Sequence, residues 1–397
     1  MFICEYVGSG HSVAVLSHSH THEAPRSRTP RALVAVLVLA AVATLVAMVV
    51  LWPGHVKTTP SQEAGRRALG VVTFIQKPSA TVRVTAGPGK GTDTTVALPT
   101  GPGSPTLSTG DKVVLLYAPD AVAGGPPYTV VDHQRAGPMI WLALAAVLAV
   151  LAFGRRLGIT SLAALVVSFA GLLLFVIPAI LNGESPLLVA VVGAAAIMFA
   201  VLYLTHGFNA HTSVAVAGTL ASLVLTGLLG AGFTAALHLT GVAGDDDAFL
   251  AATRGNIDMR GLLLAGIVIG ALGVLDDVTV TQAAAVSELA AAGETDLYRA
   301  ASRIGRAHVA SAVNTLVLAY AGASLPLILL LATDGRPVGE VLTGELLAQE
   351  VLRSAVGTIG LVASVPITNA LAVLVARNRS AGPRSSRPAP LPRHSRT

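Results

Sequence analysis

The sequence predicts an all-α polytopic membrane protein of about eight transmembrane helices, with one small extracytoplasmic β-rich domain after the first helix. Three observations predict it. Of 397 residues, 53% are apolar and only 12% are charged, and the mean hydropathy is +0.70, more apolar surface than a water-soluble core can hide. The apolar residues gather in runs of roughly 16 to 27, which suits helices crossing ~30 Å of hydrocarbon and not strands of ~10 residues. Between the first run and the others, residues 55–137 change character to short β-branched segments.

Residues 1–31 are polar and read as a disordered cytoplasmic tail. They hold His18, His20 and His22 in alternation, weak metal candidates because three flexible imidazoles lack a fixed geometry and a closed shell. The first apolar run, 32–52, ends at Pro53-Gly54 and is long enough to cross once. Its late start and the lack of a persuasive Ala-x-Ala site before Trp52 speak against a cleavable signal peptide. In 55–137 the runs 68–74, 80–85, 94–98, 112–117 and 128–131 are separated by Gly, Pro and Asp, as in Gly87-Pro88-Gly89, the pattern of a small antiparallel sheet or barrel. Cys4 is the only thiol, so no intrachain disulfide staples that domain. The membrane domain, 138–376, contains seven further runs: 138–153, 159–181, 186–204, 212–239, 261 to about 285, 309–332 and 351–376. Residues 377–397 form a basic cytoplasmic tail. No internal or inverted repeat is visible.

Arginine next to the apolar runs sets the orientation, because short basic loops stay on the cytoplasmic side. With the amino terminus inside, that side holds fourteen arginines, among them Arg155, Arg156, Arg299, Arg303 and Arg306, against four in the short outer loops, Arg254, Arg260, Arg336 and Arg353. The outer loops carry acids instead, including Asp245, Asp246, Asp247 and Glu345. Both termini are therefore expected in the cytoplasm and the β-rich domain outside. The surplus of 26 Lys and Arg over 21 Asp and Glu lies in these tails and loops, so it marks orientation and not a nucleic-acid partner.

The run Gly270-Ala-Leu-Gly-Val-Leu-Asp-Asp-Val-Thr-Val-Thr-Gln282 holds the candidate chemistry. Asp276 and Asp277 fall ~22 Å into a helix starting at Gly261, at ~1.5 Å per residue. A carboxylate facing lipid costs at least ~2.5 kcal/mol, so both should meet protein or water. Asp277, Thr281 and Glu288 share one helical face, while Asp276, Thr279 and Gln282 point elsewhere. Three readings compete: a helix ending near Leu275 with the acids as a solvated cap, a proton or cation site lined by Asp277 and Thr281, and a structural polar network. In the next helix His308, Ser311 and Thr315 share a face, and Asn314 lies beside it. A pair between His308 or Arg306 and Asp276 or Asp277 is expected. Gly218, Ser222, Thr226 and Gly230, like Gly266 with Gly270, read as close helix contacts, and Pro366 as a kink freeing the carbonyl of Val362.

There is no Walker-type loop, no Gly-x-Ser-x-Gly, no His-Glu-x-x-His and no Cys cluster, so an enzyme is not expected, nor any cofactor. The runs Leu202-Tyr-Leu-Thr-His-Gly-Phe208, Gly270 to Ala283 and Val313-Asn-Thr-Leu-Val-Leu-Ala-Tyr-Ala-Gly-Ala-Ser-Leu-Pro326 resemble the YibE/F-like family of bacterial multi-pass membrane proteins, over roughly 68–376. The resemblance implies an outward β domain followed by a seven-helix membrane part, and brings no established substrate or reaction. The family pattern carries an acid before the histidine at 308, where this chain has Ala307. The expected function is a secondary transporter or permease with an intramembrane ion or solute site at Asp276, Asp277, Thr279, Thr281, Gln282, His308 and Asn314. The rival is a non-transporting sensor or assembly partner using the external β domain. Expected partners are the lipid bilayer and a small solute or ion, and a homo-oligomer is compatible with the sequence.

Overall fold

The computed structural model describes residues 30–54, 67–101, 103–118, 127–333, 335 and 337–380. The first apolar run forms α1 (Arg31–Val50). Five strands follow, β1 (Arg67–Gln76), β2 (Ser79–Ala86), β3 (Asp93–Ala97), β4 (Lys112–Tyr117) and β5 (Tyr128–His133), in one antiparallel sheet of order β3-β2-β1-β4-β5. These are the five β-branched runs of the sequence. Their period of two puts Ala68, Val72, Ala80, Val82, Val84, Val113, Leu115 and Val130 on one buried face. Register shifts at Leu69/Gly70, Val72/Phe74 and Val114/Leu115 bend the strands, and edges β3 and β5 approach each other so that the sheet curls into half a barrel. Gly70 faces inward at one such shift, where a Cβ would overlap the side chain of Val82. Tyr128 closes the open side: its hydroxyl donates to the Pro88 carbonyl at 2.9 Å and its ring lies 4.9 Å from that of Tyr117.

The rest is helical: α2 (Ala136–Gly171), a π turn (Leu172–Val176), α3 (Ile177–Leu181), α4 (Pro186–His206), α5 (Ala210–Ala236), α6 (Asp245–Thr253), α7 (Met259–Ala291), α8 (Leu297–Ala323), α9 (Leu325–Thr333), α10 (Val338–Thr343) and α11 (Glu345–Ser380). Among the described residues six helices are long and apolar enough to cross a membrane, or seven if α8 and α9, bent by 61°, count as one. The runs 138–153 and 159–181 join in one helical stretch, but Arg155 leaves helical geometry at φ 49, ψ −120. The chain turns back there, bringing Gly158 against the carbonyl of Val150, a contact that a straight helix cannot make. The π turn before α3 has a local cause as well. Pro178 lacks an N–H and its ring would clash with the Leu174 carbonyl, and a widened turn relieves both faults.

Helices α5, α7 and α11 form the centre of the bundle, with α4 on one side, α8 on another, and α1 and α2 outside α4. Their contact surfaces are apolar, as in the cluster of Leu37, Met198, Leu202, Leu223, Val268, Leu272 and Leu275 from α1, α4, α5 and α7. Outward-facing Val36, Leu39, Trp141, Leu142, Phe169 and Leu228 are exposed, a coat suited to lipid and far beyond the apolar patches of water-soluble monomers. Two polar side chains tie helix ends together. Asn209 caps α5 by accepting from the Thr212 amide at 2.8 Å and donates to the His206 carbonyl at 2.7 Å, closing the α4–α5 turn. The Glu345 carboxylate accepts from the Thr240 amide and hydroxyl, both at 2.6 Å, fastening the exit of α5 to the start of α11.

The sheet buries one complete face by itself, so residues 66–135 expressed alone should give a β-type circular dichroism spectrum. Gly70→Val should abolish it, because forcing a branched side chain into a filled core costs about 1–3 kcal/mol and so small a domain has little stability to spare. A disordered spectrum from the unsubstituted segment would show that the sheet needs the helices.

Candidate intramembrane polar site

Helix α7 runs unbroken from Met259 to Ala291, so Asp276 and Asp277 lie near its middle and not on a frayed end. Neighbours in a helix point about 100° apart, and here that rotation separates their surroundings. Asp276 lies one turn before Thr279, the residue of α7 that meets α5. Thr219 and Thr279 hydroxyls lie 2.7 Å apart, and Thr279 donates to the Asp276 carbonyl at 3.2 Å. Oδ1 of Asp276 is enclosed and has no hydrogen-bond partner. One turn on, Gln282 is fully buried with neither carboxamide atom partnered. Gly305 of α8 makes room for it, since a Cβ there would overlap the Gln282 side chain and that of Val365.

Helix α11 closes the cluster. Thr368 and Asn369 are fully buried; Thr368 packs on Gly218 of α5, where a Cβ would overlap its hydroxyl. Asn369 donates to the Ser302 hydroxyl of α8 at 3.4 Å, while its Oδ1 and the Thr368 hydroxyl lack partners. Helices α5, α7 and α11 thus bury Thr219, Thr279, Gln282, Thr368 and Asn369 along their contacts, and α7 adds the half-buried Asp276 with its enclosed Oδ1. Leaving a buried polar atom unpaired costs about 1–3 kcal/mol, so a cluster of such atoms is suited to an occupant that supplies what the protein does not.

The expected site residues divide into groups. Thr279 and Gln282 are fully buried between helices, and Asp276 is half-buried with its Oδ1 enclosed. Asp277 lies on the α8 side with 72% of its side chain exposed, 3.6 Å from Nε2 of His308, which is 28% exposed; this is the pair foreseen between the two helices. Thr281 returns its hydroxyl to the Asp277 carbonyl at 2.7 Å and stays outside the cluster. Asn314 is exposed on α8, beyond the cluster. His18, His20 and His22 lie outside the described residues, and among those described no group of three or more His, Cys, Asp or Glu could hold a metal. Thr219, Ser302, Thr368 and Asn369 were not foreseen. Their signal was faint: Thr368 and Asn369 are consecutive polar residues two positions after Pro366 in an apolar helix, and Thr219 adjoins the Gly218 to Gly230 stripe.

Six or seven long apolar helices with exposed apolar outer faces define a multi-pass membrane protein. The chain belongs to the YibE/F-like protein family, whose model matches residues 142–378. That match covers the helices from α2 to α11 and not the sheet, a shorter reach than the 68–376 expected. No curated protein and no solved structure matches the chain.

The close approach of α5 to α11 at Gly218 predicts an asymmetric response to bulk. Gly218→Leu should lower the thermal midpoint of the purified protein, at about 1–3 kcal/mol of overpacking. Gly232→Leu, on the same helix with nothing near its Cβ position, should leave the midpoint unchanged in a fluorescence melting assay.

Proposed function

We propose that the chain is a secondary transporter or permease of a bacterial cytoplasmic membrane, with the Asp276 cluster as its proton or small-cation site. The observation that carries this reading is the enclosed, partnerless Oδ1 of Asp276 on the central helix α7, along whose contacts with neighbouring helices hydroxyls and carboxamides are also buried. A carboxyl deep in a bundle supplies a charge that can be neutralised by a proton or a cation, and the neutral oxygens beside it supply ligands. Ionisable groups at such depth are costly and are kept where they line ion or solute pathways. A cluster serving stability alone would be expected to satisfy its own atoms.

The proposed arrangement has eight spans: α1, the two arms of α2–α3 parted at Arg155, α4, α5, α7, the bent α8–α9 pair, and α11. The stretch Ala136–Leu181 is 46 residues, about 69 Å of helix at ~1.5 Å per residue, more than twice a ~30 Å hydrocarbon core. Two crossings joined by the turn at Arg155 use that length. An even count puts both termini on one side, and with the arginine-rich loops inside that side is the cytoplasm, shared by Arg155, Arg156 and the α7–α8 turn, with the sheet outside. The Asn182 side chain, 3.5 Å from the Gly54 carbonyl, supports a common side for the ends of α1 and α3.

Reporter fusions at Gly110 and Asp246 should therefore read outside, and fusions at Gly158 and Ser385 inside. An inside signal at Gly110 would overturn the arrangement. Transport itself is tested by profiling ion and metabolite fluxes in a deletion strain and in complemented cells. Asp276→Asn should reach the membrane in normal amount yet reduce the restored flux by about tenfold or more, the equivalent of ~1.4 kcal/mol. Glu294→Gln, in the α7–α8 turn, should behave like the unsubstituted protein. Equal flux from both variants, or none that depends on the chain, would leave the reading of a sensor or assembly partner.

A further inference from the structure

The amino-terminal turns of α8 and its seam with α11 contain two hollows that the polar cluster does not use. One, about 350 Å³, lies among Tyr298, Arg299, Ser302, Arg303 and Arg306. The other, about 380 Å³, runs between α8 and α11 past Val309, Ala310, Val362, Val365 and Pro366. Ser302 and Arg306 border both, so a cationic mouth and an apolar crevice lie side by side. Each falls in the roughly 300–1,000 Å³ range of small-ligand sites.

The mouth has charge to spare. Arg299, Arg303 and Arg306 follow i, i+4, i+7 spacing and so share a helical face. Arg299 has Asp296 at 3.5 Å, whereas among the described residues Arg303 and Arg306 have no acidic partner. The crevice has a structural origin. Pro366 cannot donate to the Val362 carbonyl, so α11 presents an interrupted wall there, and Gly305 and Ala310 keep the facing wall of α8 low. An inorganic anion would satisfy the arginines and leave the apolar walls uncovered. An uncharged lipid would cover the walls and leave the arginines unpaired.

We propose that this is a binding site for an anionic phospholipid, with its phosphate on Arg303 and Arg306 and one acyl chain between Val309, Ala310, Val362 and Val365. Basic residues at a membrane boundary attract anionic headgroups generally, and Arg155 and Arg156 would share that diffuse attraction. What distinguishes the α8 mouth is the crevice behind it, which holds the tail as well as the head. Ser302 borders both hollows and accepts from Asn369, so the bound lipid lies one side chain away from the Asp276 cluster.

The test uses the purified full-length protein in neutral detergent and requires no transport activity. Native mass spectrometry and thermal-shift titration are run with phosphatidylglycerol, phosphatidylcholine and inorganic phosphate. Phosphatidylglycerol should bind and stabilise, and the other two should do so far more weakly. Arg303→Gln with Arg306→Gln should weaken phosphatidylglycerol about thirtyfold, the equivalent of about 2 kcal/mol at ~1 kcal/mol per basic residue. Both side chains are exposed, so the lipid-free melting midpoint should not move. Arg155→Gln with Arg156→Gln, the same loss of charge away from the crevice, should change binding little, and Ala310→Trp should weaken it with every arginine in place. Equal losses in the two arginine pairs would reduce the effect to diffuse attraction and overturn the site. Equal stabilisation by inorganic phosphate would assign the mouth to a free anion, and unchanged binding in Ala310→Trp would remove the acyl chain from the crevice; either result overturns the lipid. Should the tryptophan variant fail to accumulate, the comparison of the two arginine pairs decides alone.

Discussion

A polar group taken out of water must find a partner within the protein, and in hydrocarbon there is no solvent to forgive a miss. Helix α7 carries Asp276, Thr279 and Gln282 through the middle of an otherwise apolar bundle, and the packing of its neighbours follows from them. Thr219 of α5 reaches Thr279 directly, Thr368 of α11 packs on Gly218 beside Thr219, and Asn369 of α11 reaches Ser302 of α8. Such approach needs small residues at the contacts. Gly218 and Gly305 are where a Cβ would strike Thr368 and Gln282, and Gly360 stands against Thr226 in the same way. Small residues and hydroxyls are the usual means of bringing helices close where lipid removes the hydrophobic reward for association.

Away from that centre, irregular backbone marks a few bends and widened turns in the helices. Arg155 reverses the α2 stretch, the π turn accommodates Pro178, and Ser324 sits at the 61° bend before α9. Helix ends outside the apolar zone are closed by side chains, Asn209 for α4 and α5, Glu345 for α5 and α11, and Asp247 for the amides that lead into α6. The bundle therefore combines helix ends closed by side chains with a centre in which several buried polar atoms lack partners.

Asp276 and Asp277 show how far the candidate site was legible. That the pair is exceptional is plain from the string, because two carboxylates inside an apolar run are expensive in any arrangement. Which of them enters the bundle is not, since α7 is apolar around most of its circumference and offers no polar face to orient it. The helical wheel linked Asp277 with Thr281 and set Asp276, Thr279 and Gln282 apart. The packing of α5 put the second group inside and left Asp277 beside His308 at the flank. Asn369 was passed over because a single carboxamide after a proline is a weak signal in isolation; it acquires meaning only from Ser302 across the α8–α11 seam.

The sequence by itself determined the helical, membrane-embedded class, the five strands of the small sheet and the family, because these depend on local quantities: run length, period and strings of neighbouring residues. It marked the α7 carboxylates and their tie to His308, which lies one turn of chain away. The tertiary structure alone decided that Thr219 meets Thr279, that Thr368 packs on Gly218 and Asn369 on Ser302, that Asn314 stays exposed, and that two hollows along α8 share Ser302 and Arg306. Those facts depend on how helices far apart in sequence rotate about their own axes. That rotation is settled by side-chain shape and by the pairing of buried polar atoms across several helices at once, which no single run of residues records.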